Sequence, residues 1–292
     1  MYIVSGATGQ TGSVVARTLL EKGLPVRVIV RSEEKGKTWK DLGAEVGVAD
    51  LQDADALTKV LAGGKVLYLM NPPNYQSEDM FAETAKIIKA FQAAIRHSSL
   101  EKLVALSSIG AQLSNGTGPI VNNYLLEQAF RDSHIPTTFV RPPSFMENWN
   151  SVLETVKTDG ILPSFHHPLD KKIPQIATED IGRVAAEAML ENSEGVQIRE
   201  LAGFSYSPND VAEAFSKVLG REVTAVAVPE NQWLEILKTF SSPRNAEVMY
   251  ELFQAANADL LTFETGNQID GKVTIEDFAS KALKMNAAQQ SN

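Results

Sequence analysis

The chain has no cysteine among its 292 residues. Disulfides, thiolate nucleophiles and thiolate metal sites are thereby excluded. Histidine is scarce too, at His97, His134, His166 and His167 only. No two of these stand at helical ligand spacing, so no metal is expected. Positive charge is in the minority: 27 Lys and Arg against 36 Asp and Glu leave a net charge of −9. No basic stripe is visible, which argues against nucleic acid as a partner. A long apolar run is also missing. The N-terminal apolar stretch is short, follows no basic segment and stops at glycine. Neither a secretion signal nor a membrane span is expected, and the cytoplasm is the expected compartment.

What is present is ordinary globular material, 43% apolar and 22% charged, enough to bury a large core. Short β-branched runs alternate with amphipathic stretches. Strands are expected at 2–5, 25–30, 45–48, 66–70, 102–107 and 137–141, with helices at 13–22, around Lys40, and at 53–61, 80–97 and 121–132. Continuous apolar strands between helices mean a parallel sheet covered on both faces. After Arg141 the texture changes. Residues 144–170 read as irregular, 173–177 and 197–202 as strands, and 179–190 as a helix. From Ser207 a helix, a strand at 222–228 and further helices follow. The expected fold is α/β, a doubly wound parallel sheet with a smaller, mostly helical C-terminal lobe. Its dinucleotide-binding domain takes residues 1–143 plus 171–202, and the lobe takes 144–170 plus 203–292.

Three glycines, Gly6, Gly9 and Gly12, stand at three-residue spacing in GATGQTG, between the first strand and the first helix. A doubly wound sheet binds a dinucleotide pyrophosphate there. Gly6 allows a tight turn, Gly9 lets the backbone approach the phosphates, and Gly12 lets helix and strand pack closely. Thr8, Gln10 and Thr11 lie between them, and the helix N-terminus offers N–H groups to the anion. A glycine-rich turn can also be only a loop. Here a strand precedes it and a helix follows, the context the motif requires.

NAD-type sites end the second strand with an acid that accepts from the ribose 2′-OH. This chain has Arg31 there, nineteen residues past Gly12, followed by Ser32 and Lys35. An acid would repel a 2′-phosphate, whereas an arginine pairs with it bidentately. NADP(H) is expected over NAD(H). The competing reading is a solvated basic turn, its field weakened by Glu33 and Glu34.

The spacing G-x-x-G-x-x-G resembles that of the short-chain dehydrogenase/reductase superfamily, and nearly the whole chain is similar to its atypical NmrA-like branch. The likeness runs through LLEKG, PVRVIVR, GAEVGVADLQD, LVALSSIGA, IATEDIGRVAA and, most branch-specific, LEQAFRDSHIPTTFVRPPSFMENW. The resemblance implies a Rossmann fold. It places Asp50 and Leu51 near the adenine, and Met70, Asn71 and Pro72 along the cofactor. Asp50 could equally be a turn residue. Ser107 and Ser108 end the fifth strand, where the superfamily keeps a substrate-orienting serine; they could instead close a turn.

Most members of the superfamily carry Tyr-x-x-x-Lys, in which the tyrosine donates a proton and the lysine grips the nicotinamide ribose. None of Tyr2, Tyr68, Tyr75, Tyr124, Tyr206 and Tyr250 has a lysine four residues on; after Tyr124 that place is Gln128. Matched to the family, the tyrosine slot is Pro119 and the lysine slot Asn123. Asn123 can bond a ribose hydroxyl but cannot act as an electrostatic acid. Hydride delivered to a ketone leaves a strongly basic alkoxide, which wants a positioned acid. Delivered to a quinone it leaves a far less basic, phenolate-like anion that water can protonate. A quinone or similar conjugated acceptor is therefore the expected substrate of an oxidoreductase reading. His166 or His167 is a candidate proton donor, against a capping or surface role. Pro142, Pro143, Phe145, Trp149, Phe165 and His166 are candidates for the wall over the nicotinamide, against ordinary core packing. The competing function is a non-catalytic NADP(H) sensor that acts through a protein partner. An epimerase is disfavoured because it needs the absent dyad.

Overall fold

A computed structural model describes the backbone of residues 1–290 and the side chains of residues 1–284. The first half alternates strand and helix: β1 (Tyr2–Val4), α1 (Gln10–Glu21), β2 (Val26–Val30), α2 (Glu33–Asp41), β3 (Glu45–Val48), α3 (Ala54–Leu61), β4 (Val66–Leu69), α4 (Met80–Arg96), β5 (Lys102–Leu106), α5 (Val121–Arg131) and β6 (Thr137–Arg141). The side-chain period of two, with both faces buried, explains why the central strands are mostly apolar. Leu67, Leu69, Leu103, Ala105 and Phe139 face a core with α3, α4 and α5, while Tyr68, Val104 and Val140 face another with α1. Asp53 and Asp79 cap α3 and α4 by accepting two backbone N–H groups each.

The second half holds β7 (Ser144–Phe145), α6 (Leu153–Asp159), β8 (Ile161–Ser164), β9 (Ile173–Ile176), α7 (Thr178–Leu190), β10 (Val196–Leu201), β11 (Phe204–Tyr206), α8 (Pro208–Leu219), β12 (Thr224–Ala227), α9 (Trp233–Lys238), α10 (Pro243–Asn257), β13 (Gln268–Ile269) and α11 (Ile275–Gln290). The large sheet has eight strands in the order β13-β10-β6-β5-β4-β1-β2-β3, and every pairing in it is parallel. Strand order reverses between β1 and β4, which opens the cleft at the carboxyl ends of those strands. This is an α/β Rossmann fold with a smaller helical C-terminal lobe.

Residues 144–170 differ from the irregular stretch their Pro and His content suggests. They hold β7, a 3-10 turn at Met146–Val152, α6 and β8. β7 pairs with β9, and β8 with β12, so small separate sheets brace the lobe. The lobe has its own core around Val156, Leu162, Phe215 and Phe278. Its sharpest local signal is the start of α8, where Ser207 and Asp210 form a reciprocal capping box with Pro208 between them. β13 returns from the lobe to the large sheet, beside β10. Among the described residues, no helix is long and apolar enough to cross a membrane.

Candidate cofactor site and cleft

The glycine turn divides its work unequally. Gly6 has φ +67°, and a Cβ there would stand 2.6 Å from the methyl of Met70. At Gly12 a Cβ would stand 2.4 Å from Gly6 O and 2.9 Å from Ser5 O, so helix and strand end are pressed backbone to backbone. Gly9 is different. Its φ of −96° suits any residue, and a Cβ would come no nearer than 3.3 Å to the protein. The fold presses less on Gly9 than on Gly12, although the Gly6 carbonyl is close, and the glycine leaves a bare backbone at the helix mouth. Among the described residues no side chain caps α1 and no acid sits in its first turn, so its leading N–H groups keep no side-chain partner. Thr8 and Gln10 are exposed beside it. Thr11 turns inward, where its hydroxyl accepts from Tyr68 at 3.3 Å, and burial pushes the Tyr68 phenol up.

Next to this turn lies a cavity of about 70 Å³ lined by Gly6, Thr8, Arg31, Lys35, Ala49 and Leu51. Arg31 and Lys35 are exposed, and neither makes an ion pair or side-chain hydrogen bond among the described residues. Glu33, the acid nearest Arg31 in sequence, pairs with Lys40 at 2.6 Å. Ser32 is the N-cap of α2. Asp50 accepts the N–H of Gln52 at 2.9 Å, a turn closed on itself, so Leu51 rather than the Asp50 carboxylate lines the cavity.

Across the cleft, the Met70 N–H donates to Ser5 Oγ at 2.8 Å, which ties the end of β4 to that of β1. Asn71 donates to Thr84 at 2.8 Å. Its Oδ1 is buried with no partner among the described residues. Pro72 follows, half-buried.

The end of β5 leads inward. Ser107 is buried and donates to Glu127 Oε1 at 2.5 Å. Glu127 in turn accepts from Arg141 Nε at 2.8 Å and Nη2 at 2.7 Å. Arg141 also donates to Glu264 at 2.5 Å and stands 3.9 Å from Glu200. Burial opposes its charge, but the bonds to Glu127 and Glu264 outweigh it and raise the guanidinium pKa. Burial also acts to raise the Glu200 pKa, but the N–H groups of Glu264 and Thr265 overcome it and leave the carboxyl lowered. Sequence reasoning missed this cluster; its one signal was an arginine ending an otherwise apolar strand. Ser108 is half-buried, with no side-chain hydrogen bond among the described residues.

Asn123 precedes Glu127 by four residues, hence on the same helix face and one turn nearer the cleft. It too has no side-chain hydrogen bond among the described residues. Pro119 lies in a 3-10 turn, Gly118–Ile120, against which α10 packs. A Cβ at Gly118 would stand 2.4 Å from Val248 O, and the Gly118 N–H donates to Glu251 at 3.2 Å.

His166 lies edge-on to Trp149 and Phe253, with centroids 6.4 and 5.8 Å away. Burial, helped by His167 and Lys171, pushes its pKa down to about 4. It is neutral at pH 7 and holds no proton to give as an acid. Phe165 stacks on Phe253 at 4.5 Å. Trp149 donates to Gln175 at 2.7 Å. Pro142 is buried and accepts from the Ile109 N–H at 3.0 Å, and Phe145 packs on the core beneath β7.

The model of the NmrA-like family matches residues 2–282. An NAD(P)H azoreductase of Xenophilus azovorans is 29% identical over 289 residues, 96% of each chain. A (4-alkanoyl-5-oxo-2,5-dihydrofuran-3-yl)methyl phosphate reductase of Streptomyces griseus is 30% identical over 76% of this chain and 74% of its own. The NADPH complex of an Escherichia coli NADPH-dependent quinone oxidoreductase superposes with a TM-score of 0.79 at 23% identity, covering 97% of this chain and 100% of that one. Fold and relatives point to oxidoreductase activity in general. With the family model matched along almost its whole length, this chain belongs to the NmrA-like family of NAD(P)-binding Rossmann-fold proteins.

Proposed function

We propose that this chain is an NADP(H)-dependent oxidoreductase that reduces a quinone or similar conjugated acceptor by direct hydride transfer, without a Tyr/Lys dyad. One observation carries the cofactor half: Arg31 and Lys35 stand over the cavity that opens on the glycine turn, with no ion pair among the described residues. Two such cations match a 2′-phosphate, which an arginine holds bidentately. The bare backbone at Gly9 and the open N-terminus of α1 suit a pyrophosphate. Asn71 Oδ1, buried and without a partner among the described residues, suits a ribose hydroxyl or carboxamide N–H as an acceptor.

When bound, the reduced nicotinamide supplies the hydride. The chain orients the acceptor and does little proton chemistry. Pro119 and Asn123 replace the usual donor pair. His166 is neutral. The Ser107 proton is committed to Glu127, so this hydroxyl offers only lone pairs. A quinone that takes this hydride would become a hydroquinone anion and collect its proton from water. The names of the azoreductase and the quinone oxidoreductase support this direction, since both acceptors are conjugated.

The test follows loss of reduced-nicotinamide absorbance against panels of quinones and of simple ketones. Many turnovers with quinones and none with ketones is the expected result. Tight NADPH binding without turnover on any acceptor replaces the enzyme with a sensor that acts through a protein partner.

A further inference from the structure

We propose that Asn245, in the first turn of α10, is a positioning residue that latches the β4–α4 loop over the nicotinamide end of the cleft. The proposal rests on reading that cleft as the NADP(H) site.

Residues 70–79 follow β4, across the strand-order reversal from the glycine turn, and so form the second wall of the cleft. Arg31 and Lys35 mark the adenosine side at the end of β2. The β4 wall therefore faces the other half of a dinucleotide. This loop begins with Met70, whose methyl lies over Gly6, and Asn71, whose buried Oδ1 has no partner among the described residues.

The loop does little to hold itself. Its internal bonds run from the Ser77 N–H and hydroxyl to Asn74 O, at 3.2 and 2.9 Å. Its ends are tied to β1 and α4, by Met70 to Ser5, Asn71 to Thr84 at 2.8 Å and Asn74 to Glu83 at 3.0 Å; the carbonyls of Tyr75 and Ser77, at its middle, are held from the lobe. Asn245 is 1% exposed. Its Nδ2 lies 2.8 Å from Ser77 O and 3.1 Å from Tyr75 O, two carbonyls for the two hydrogens an amide carries. Its Oδ1 accepts the Met80 N–H at 3.4 Å. The Ser242 N–H donates to Tyr75 O at 2.9 Å. Arg244 pairs with Asp79 at 2.9 Å, and the Tyr75 ring packs on the Trp233 cluster. One buried side chain thus reaches the loop carbonyls and the N-terminus of α4 together. No substrate contact is needed for this role; Asn245 acts through the loop.

The experiment is a pair of titrations on the full chain, with NADPH and with adenosine 2′,5′-bisphosphate, a fragment that keeps the adenosine half and lacks the nicotinamide and its ribose. Asn245→Ala is expected to weaken NADPH at least about tenfold while leaving the fragment unchanged. Asn245→Asp, nearly isosteric but unable to donate to the two carbonyls, should do the same and serves where the alanine variant fails to fold. Unchanged NADPH affinity, or equal weakening of both ligands, overturns the latch. A wild-type protein that binds neither ligand overturns the cofactor reading, and the latch with it.

Discussion

The carboxylate of Glu127 and the guanidinium of Arg141 meet in a two-bond fork, 2.7 and 2.8 Å long, with both side chains wholly buried. The pair ties α5 to β6. Through Ser107 it reaches β5, and through Glu264 it reaches the segment that returns to the sheet as β13.

Removing one member of such a cluster strands the others. Arg141→Met leaves Glu127 with only the partly exposed Arg131, 3.8 Å away, and strips Glu200 of the guanidinium beside it; it should cost about 3–5 kcal/mol. Urea unfolding followed by circular dichroism measures it. A midpoint equal to that of the wild type would mean that the fork contributes nothing to stability.

Acid should destabilise the fold in two stages. The folded pKa of His166 is about 4, below its ordinary 6.5. Between those values the unfolded chain binds a proton that the folded chain does not, so stability falls as pH drops through that window. The folded pKa of Glu200 is lowered from 4.5. Its contribution is present above 4.5 and disappears as pH falls through the folded value. Thermal melts should show His166→Phe losing less stability than wild type between pH 7 and pH 5, while both variants weaken further below. Identical pH dependence in the two proteins would contradict a neutral, buried imidazole.

The glycine turn predicts a contrast between neighbours. Gly12→Ala meets backbone at 2.4 Å, which has no rotamer to yield, and should destabilise the protein by about 1–3 kcal/mol. Gly9→Ala meets Gly6 O at 3.3 Å, a tight contact that a small backbone shift relieves; it should cost less stability than Gly12→Ala and lose NADPH affinity. Melting and NADPH titration, run together, separate the two roles.

The legible parts of this molecule were local. Strands such as Val66–Leu69 show in sequence because both faces are buried. The glycine turn shows because three backbone demands fall within seven residues. Arg31 shows because its position is counted from that turn. Distant pairings were hidden. Glu127, Arg141, Glu200 and Glu264 come together from four elements, and no spacing links them. Asn245 meets Tyr75 and Ser77 across about 170 positions. Ser107 and Asp50 were visible as residues, but the directions of their side chains, toward Glu127 and toward the Gln52 N–H, depend on packing and turn geometry. Residues 144–170 read as irregular because their strands are short and pair with partners far along the chain.

Arg31→Ala tests the cofactor choice. A charge-assisted bond to phosphate is worth about 1.5–3 kcal/mol, so NADPH should bind roughly 10- to 100-fold more weakly while NADH changes little. Fluorescence titration with both cofactors measures it. Equal losses for both would place Arg31 outside 2′-phosphate recognition.

The central claim is that this cleft passes hydride from NADPH to a conjugated acceptor, and NADPH carrying deuterium at both C4 positions tests it most directly. With a quinone acceptor, the account predicts many turnovers, a slower rate with the labelled cofactor, and one deuterium missing from the nicotinamide of the product. Labelled NADPH that binds tightly and is recovered intact, with the quinone unreduced, would contradict it.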